Sequence, residues 1–389
     1  MIRRIGLLLD SVLFELLLYV AIFLLNLRLY SKQIGMVSDI RTHLQLVHEY
    51  VDNGLHIPHP LFHIMAHAGH WLTGLPLDSV IPFLLSALSV LTILLTKRLI
   101  KFYRPGFRRE FVYVLTAVAV NYAIAIYVPW YNAYPYLGQW SPNVWHSPTM
   151  MLLKPLALLG FCGTVHYVSG SGVGRRRVAW LTSSSLAVGT IAKPSFIVCF
   201  LPALALFLLV FHWRNLRLYR NTFLMILPSL LLLSWQFIAT YTPHAQPTYF
   251  RDSIILTNFT VTRLYAPSAF VSTLLVTAFP LSVLLAIRGR VVRNAPLTAS
   301  WFLVLVGFLQ ASFLAEENKV AQGAFLFGYV ISLFMVFFFS FIEFLSWFSP
   351  RTEPAVSFKR KAVVAVIATA HLASGLWYYS ELLAGKRVF

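Results

Sequence analysis

The sequence predicts an all-α polytopic membrane protein of about eleven transmembrane helices, on three observations. Of 389 residues 58% are hydrophobic and only 11% charged, and the mean hydropathy of +0.73 lies outside the soluble globular range. Apolar runs of about 20 residues, long enough to cross a hydrocarbon core of about 30 Å, recur along the chain. Basic residues gather in every second connection between those runs.

The runs fall near 6–29, 78–96, 110–129, 149–168, 178–193, 194–213, 222–241, 268–287, 295–314, 323–348 and 362–380. The pair meeting at Lys193-Pro194 also reads as one broken segment. Arg3 and Arg4, the stretch from Lys97 to Arg109, Arg175 to Arg177, Arg214 to Arg220, Arg288 to Arg293 and Arg351 to Lys361 hold most of the 31 Lys and Arg. By the positive-inside rule these loops face the cytoplasm. The N-terminus is then cytoplasmic, and the loops 35–74, 130–148, 242–267 and 315–322 lie outside, as in a bacterial inner or plasma membrane. The net charge of +18 is therefore a topology signal and not a nucleic-acid footprint. The first run is too long for a signal-peptide core and lacks a small-residue cleavage site. Cys162 and Cys199 fall inside runs and read as packing residues. The chain, 1–389, is expected to be one integral membrane domain, with the loop 35–76 contributing to its site.

That loop holds seven of the twelve histidines. Its first half, SDIRTHLQLVHEYVDN, places Ile40, Leu44, Val47 and Val51 at helical spacing, with Ser38 or Asp39 as N-cap and Gly54 as terminator. Such an amphipathic helix lies along the outer membrane interface. In its second half His59, His63, His67 and His70 fall on one helical face that starts at Pro58 and Pro60. Asp39 carries two compatible readings: a helix cap, and a carboxylate placed to take a proton from an incoming hydroxyl. The His63/His67 spacing suits a metal pair. However, His48-Glu49 is followed by Tyr50, Val51 and Asp52, so no zincin motif is present, and the boxes of a membrane di-iron enzyme are missing. Divalent metal is not favoured; His43, His59 and His63 are expected to line a polar pocket.

The next outer loop, PWYNAYPYLGQWSPNVWHSPT, threads amides and an imidazole between aromatic rings. An interfacial aromatic belt accounts for Trp130 and Tyr131. Tyr136, Gln139, Trp140, Asn143 and His146 suit a sugar ring, whose C–H faces pack on aromatics while its hydroxyls bond amides. Lys154 and Lys193, each followed by proline, join Arg251, Arg263 and Lys319 as outer cations suited to a phosphate, with lipid-headgroup snorkelling as the alternative for Lys193. Glu316 reads as a solvated loop residue, a cation partner or a pocket residue.

Taken together the layout resembles the GT-C glycosyltransferases, polytopic enzymes that use polyprenyl-linked sugars. The carrying features are a first span followed at once by an outer loop with an early acid, Asp39 in VSDIRTH, interfacial helices returning through Leu77, and a broken span near Lys193-Pro194. The resemblance covers the first half best. Many members have an acidic pair in this loop, whereas here the next acids are Glu49 and Asp52. It implies inverting transfer from a polyprenyl-phosphate sugar to a hydroxyl acceptor, with Asp39 as catalytic base, Lys193, Arg251, Arg263, Lys319 or Lys154 on the phosphate, and no cofactor. Lipid-linked glycan polymerase or ligase activity is an alternative, disfavoured by the early position of the large loop. Transport or lipid flipping is another, disfavoured by the lack of internal symmetry.

Overall fold

The computed structural model describes residues 12–54, 57–107, 109–170, 175–241, 253–289, 294–317, 320, 323–349 and 356–386. Within them the chain forms fourteen helices and one two-stranded sheet. The order is α1 Val12–Ile34, α2 Asp39–Asp52, α3 Leu61–Thr73, α4 Leu77–Tyr103, α5 Glu110–Tyr122, α6 Pro148–Ser169, α7 Arg175–Ala192, α8 Ser195–His212 and α9 Leu216–Tyr241. Then follow β1 Ile254–Leu256, α10 Thr260–Tyr265, α11 Ala269–Ile287, α12 Ala295–Phe313, β2 Leu314–Glu316, α13 Leu326–Ser346 and α14 Phe358–Leu383.

Among the described residues nine helices are long and apolar enough to span a membrane: α1, α4, α6, α8, α9 and α11 to α14. The other two expected positions hold α5 and α7. Helix α5 is only 13 residues, because the chain leaves it at Ala123 in extended conformation. Helix α7 carries the polar run Thr182 to Ser185.

Helix α13, apolar all round, is the central post; α6 is the other buried helix. Helices α8, α11 and α12 surround α13, α7 packs on α6, and α1 packs on α4 at the periphery. In lipid, close helix contact comes from small residues rather than hydrophobic drive. On α6, a Cβ at Gly163 would lie 2.1 Å from Thr182 Oγ1 of α7, so only glycine permits that approach. On α14, a Cβ at Gly375 would sit 1.7 Å from the Tyr122 carbonyl oxygen.

That contact secures an irregular stretch. From Ala123 the backbone runs without helix, and such a chain in apolar surroundings needs partners for its polar groups. Ile124 N–H donates to His371 O, Ile126 N–H to Leu275 O and Tyr127 N–H to Ser374 Oγ. The His371 ring bonds Ile124 O through Nδ1, which must carry the proton, and accepts from Phe279 N–H at Nε2.

The end of the bundle away from α2 and α3 holds paired charges. Lys97 meets Glu15 at 2.7 Å and Glu110 at 3.1 Å, and Arg104 meets Glu343 at 3.1 Å. Asn294 and the Trp347 indole also donate to Glu343.

Gly375→Ala is expected to lower stability by about 1–3 kcal/mol through overpacking against Tyr122. Gly289→Ala, where a Cβ meets nothing within 4 Å, should be neutral. Thermal unfolding of both variants in detergent compares them.

Candidate active site

The site is assembled where α1 hands over to α2. Gln33, near the end of α1, donates to the Trp145 carbonyl at 3.2 Å, and Ser38 Oγ donates to Gln33 O at 2.7 Å. Ser38 has extended dihedrals and its Oγ accepts from Arg41 N–H, which makes it the N-cap of α2. Asp39 is the first helical residue. Its carboxylate is thus free of the capping role, and among the described residues it makes no hydrogen bond. Ile40 and Val47 bury the inner face of α2, and Gly54, at φ +63°, ends it as expected. Helices α2 and α3 pack on each other and over the ends of α4, α6 and α7.

Four groups lie within electrostatic reach of Asp39: Lys193, His146, Tyr136 and Tyr378. Lys193 stands in the break between α7 and α8, where Pro194 begins the next helix. Its Nζ donates to Thr149 Oγ1 at 3.1 Å and sits 3.6 Å from the centroid of the Phe327 ring. Burial pushes its pKa down to about 8, against the pull of Asp39 and Glu316, which raise it. Glu316, on β2, accepts from Tyr241 OH at 2.7 Å and is held by the β1–β2 ladder, Ile254 opposite Glu316.

The histidines form the neighbouring wall. His43 Nδ1 and His63 Nε2 share a hydrogen bond of 3.0 Å between α2 and α3. Burial holds His43 well below the ordinary imidazole range, with His63 and Lys193 adding to it. His63 is pushed down to about 4, by burial. His59 falls to about 3, by burial and then Lys193. All three are neutral at pH 7, so they act as hydrogen-bonding groups and not as cations. The Pro58 carbonyl beside His59 is tied down by Gln236 of α9, whose amide also donates to Thr190 O. His70 turns away to Leu75 O. Among the described residues no three His, Cys, Asp or Glu are grouped as metal ligands.

The aromatic loop divides. Tyr136 is buried, stands edge-on to His146 at 4.8 Å, and its hydroxyl has no partner among the described residues. Burial, with Asp39 adding to it, holds that phenol well above the usual range. His146 is pushed down by burial, with Asp39 opposing. Gln139 is fully buried with neither amide atom partnered among the described residues, and Trp140 takes a left-handed φ of 61° two residues after Gly138. Asn143 does something else. Its Nδ2 donates to Val120 O and Ala123 O, and its Oδ1 accepts from Lys154 Nζ at 2.7 Å. Both residues expected at the sugar and phosphate are thereby engaged with each other, because the non-helical turn after α5 needs the Asn143 amide. Arg263 is exposed on α10. Arg251 and Lys319 lie outside the described residues.

Tyr378 is the member that sequence reasoning missed. It is fully buried near the end of α14, its hydroxyl has no partner among the described residues, and it lies within electrostatic reach of Asp39 from 339 positions along the chain. Trp377-Tyr378-Tyr379 at a span terminus was its only signal, and that signal is indistinguishable from an interfacial belt. Thr149 and Phe327, which hold Lys193, had none.

No family model matches the chain, and no curated protein matches it. Among solved structures it is similar to ArnT from Cupriavidus metallidurans bound to undecaprenyl phosphate, with a TM-score of 0.55 and 13% identity. The match covers 96% of this chain and 76% of that one. The chain therefore shares that fold over nearly its whole length.

Because Ser38 and not Asp39 caps α2, Ser38→Ala should cost about 1 kcal/mol of stability. Asp39→Asn should cost less, limited to its charge at the helix start, about 0.3–1 kcal/mol. Paired unfolding curves test this order.

Proposed function

We propose that the protein is an inverting membrane glycosyltransferase, moving a sugar from a polyprenyl-phosphate donor to a hydroxyl acceptor on the extracytoplasmic face of a bacterial inner or plasma membrane. The observation carrying this reading is the shared site of an uncapped carboxylate, Asp39, and a desolvated ammonium, Lys193, walled by neutral polar side chains. The fold likeness to a protein bound to undecaprenyl phosphate supports a lipid-phosphate donor.

Asp39 takes the proton of the acceptor hydroxyl as its oxygen attacks the anomeric carbon. The bond from that carbon to the phosphate oxygen breaks, and the lipid phosphate departs with an added negative charge. Lys193 stabilises that charge at close range in apolar surroundings, where such a contact is worth more than in water. Arg251, Arg263 and Lys319 are further candidates for the phosphate, and Glu316 favours the charged form of Lys193. The hydroxyls of Tyr136 and Tyr378, the amide of Gln139 and the neutral imidazoles of His43, His59, His63 and His146 are the groups for sugar or acceptor hydroxyls. The sugar arrives activated, so the scheme uses no nucleotide or redox cofactor.

Asp39→Asn is expected to abolish transfer from a polyprenyl-phosphate sugar while donor binding persists; full activity in that variant would remove Asp39 from the mechanism. Lys193→Met should weaken donor binding at least tenfold, and an unchanged affinity counts against the phosphate role. Donor affinity should also depend on pH with a definite sign. Below about pH 8 the ammonium is charged before the donor arrives. Above it the donor must bind together with a proton, so affinity falls by up to tenfold per pH unit. Lys193→Arg, always charged, should flatten the profile. A titration of donor binding from pH 6 to 9.5 decides it.

A further inference from the structure

A second cation, unused by the chemistry above, lies deep in the bundle. Lys154 is two turns into α6, about 9 Å from the start of that helix at 1.5 Å per residue. Its side chain is buried, at 9% exposure. One of its three N–H groups donates to Asn143 Oδ1, and its Nζ stands 4.7 Å from the Phe334 ring centroid. No carboxylate among the described residues pairs with it, in contrast to Lys97 and Arg104 at the other end. A buried charge balanced only by an amide oxygen and a ring face is unfavourable and gains from a counter-charge.

Lys154 faces a cavity of about 30 Å³, lined also by Asn26, Ser89, Thr92, Asn121 and Trp145. That volume takes one or two particles of water's size. The hydroxyls of Ser89 and Thr92 donate to Leu85 O and Leu88 O, and the Asn121 amide donates to Thr96 Oγ1 and Ala117 O, so the donors toward the cavity come from Lys154 and Asn26. Asn26 Oδ1 accepts from Tyr379 OH, and its NH₂ group is shared between the Tyr122 hydroxyl and the cavity. Lys154 brings its remaining ammonium protons, and none of the lining residues is acidic. Asp39 is not among the residues lining the cavity, which has an aromatic wall. Trp145, which lines it, packs on Tyr378 and Tyr379 at centroid distances of 5.8 and 5.4 Å.

We propose that this cavity is an internal binding site for a small monovalent anion of chloride's size, which neutralises Lys154 within the membrane. The occupant is too small to be a lipid phosphate, and the site does not depend on the catalytic reading.

The test uses the full chain in detergent, in sodium chloride and in sodium gluconate at equal ionic strength. The native protein is expected to gain about 2–4 °C in Tm as chloride saturates the site. Lys154→Met, similar in volume and uncharged, should lose that response. Crystals grown in bromide should show an anomalous peak beside Lys154 Nζ. A Tm independent of chloride in the native chain, a chloride response kept by Lys154→Met, or bromide crystals without that peak each overturn the proposal. Should Lys154→Met fail to fold, the bromide measurement on the native chain decides alone.

Discussion

The ammonium of Lys193, removed from water at a break between two helices, is the group around which the loop end of this molecule is arranged. A desolvated cation requires compensation, and here it is drawn from distant parts of the chain. Asp39 comes from the start of α2, Glu316 from β2, Thr149 from α6 and a ring face from Phe327 of α13. Each supplier has its own support. Ser38 takes over the cap so that Asp39 stays available, and Tyr241 with the β ladder fixes Glu316. The histidines follow from the same constraint. Burial is the main force holding them neutral, and the positive charge of Lys193 adds to it for His43 and His59.

The two ends of the bundle treat charge differently. At the basic end Lys97 and Arg104 are matched by Glu15, Glu110 and Glu343, which tie α1, α4, α5 and α13 together. At the loop end the groups around Lys193 act at longer range and leave its ammonium hydrogen-bonded only to Thr149 among the described residues. Paired charge stabilises a fold, whereas a charge kept short of partners retains the capacity to bind.

How much of this was legible in the sequence follows from the range of the interactions. Local signals read well. The spacing of Ile40, Leu44, Val47 and Val51, with Ser38 or Asp39 before and Gly54 after, placed α2 within a residue or two of its ends, and Lys193-Pro194 marked the break. Interactions across the bundle did not read. Tyr378 reaches Asp39 from the last helix, and Asn143 is engaged by the backbone of a turn that hydropathy had counted as span. The span count was blurred for the same reason. A stretch such as 123–128 is as apolar as a helix, yet leaves the helical path because His371, Leu275 and Ser374 offer its backbone other partners.

A fold shared at 13% identity leaves the chemistry to be argued from the site, since one architecture can carry many activities. The informative feature here is what the wall near Asp39 leaves unsatisfied. Tyr136 and Tyr378 are buried with hydroxyls that bond no described residue. Each such group costs about 1–3 kcal/mol unless it finds a partner. Apolar replacements of similar shape would avoid that cost, Phe for either tyrosine. Polar groups kept there can be satisfied by an occupant that bears hydroxyls, which the sugar of the proposed reaction would supply. The unpaired hydroxyls are thus what the proposed glycosyl transfer asks of this wall, whereas a lipid tail would leave them unsatisfied.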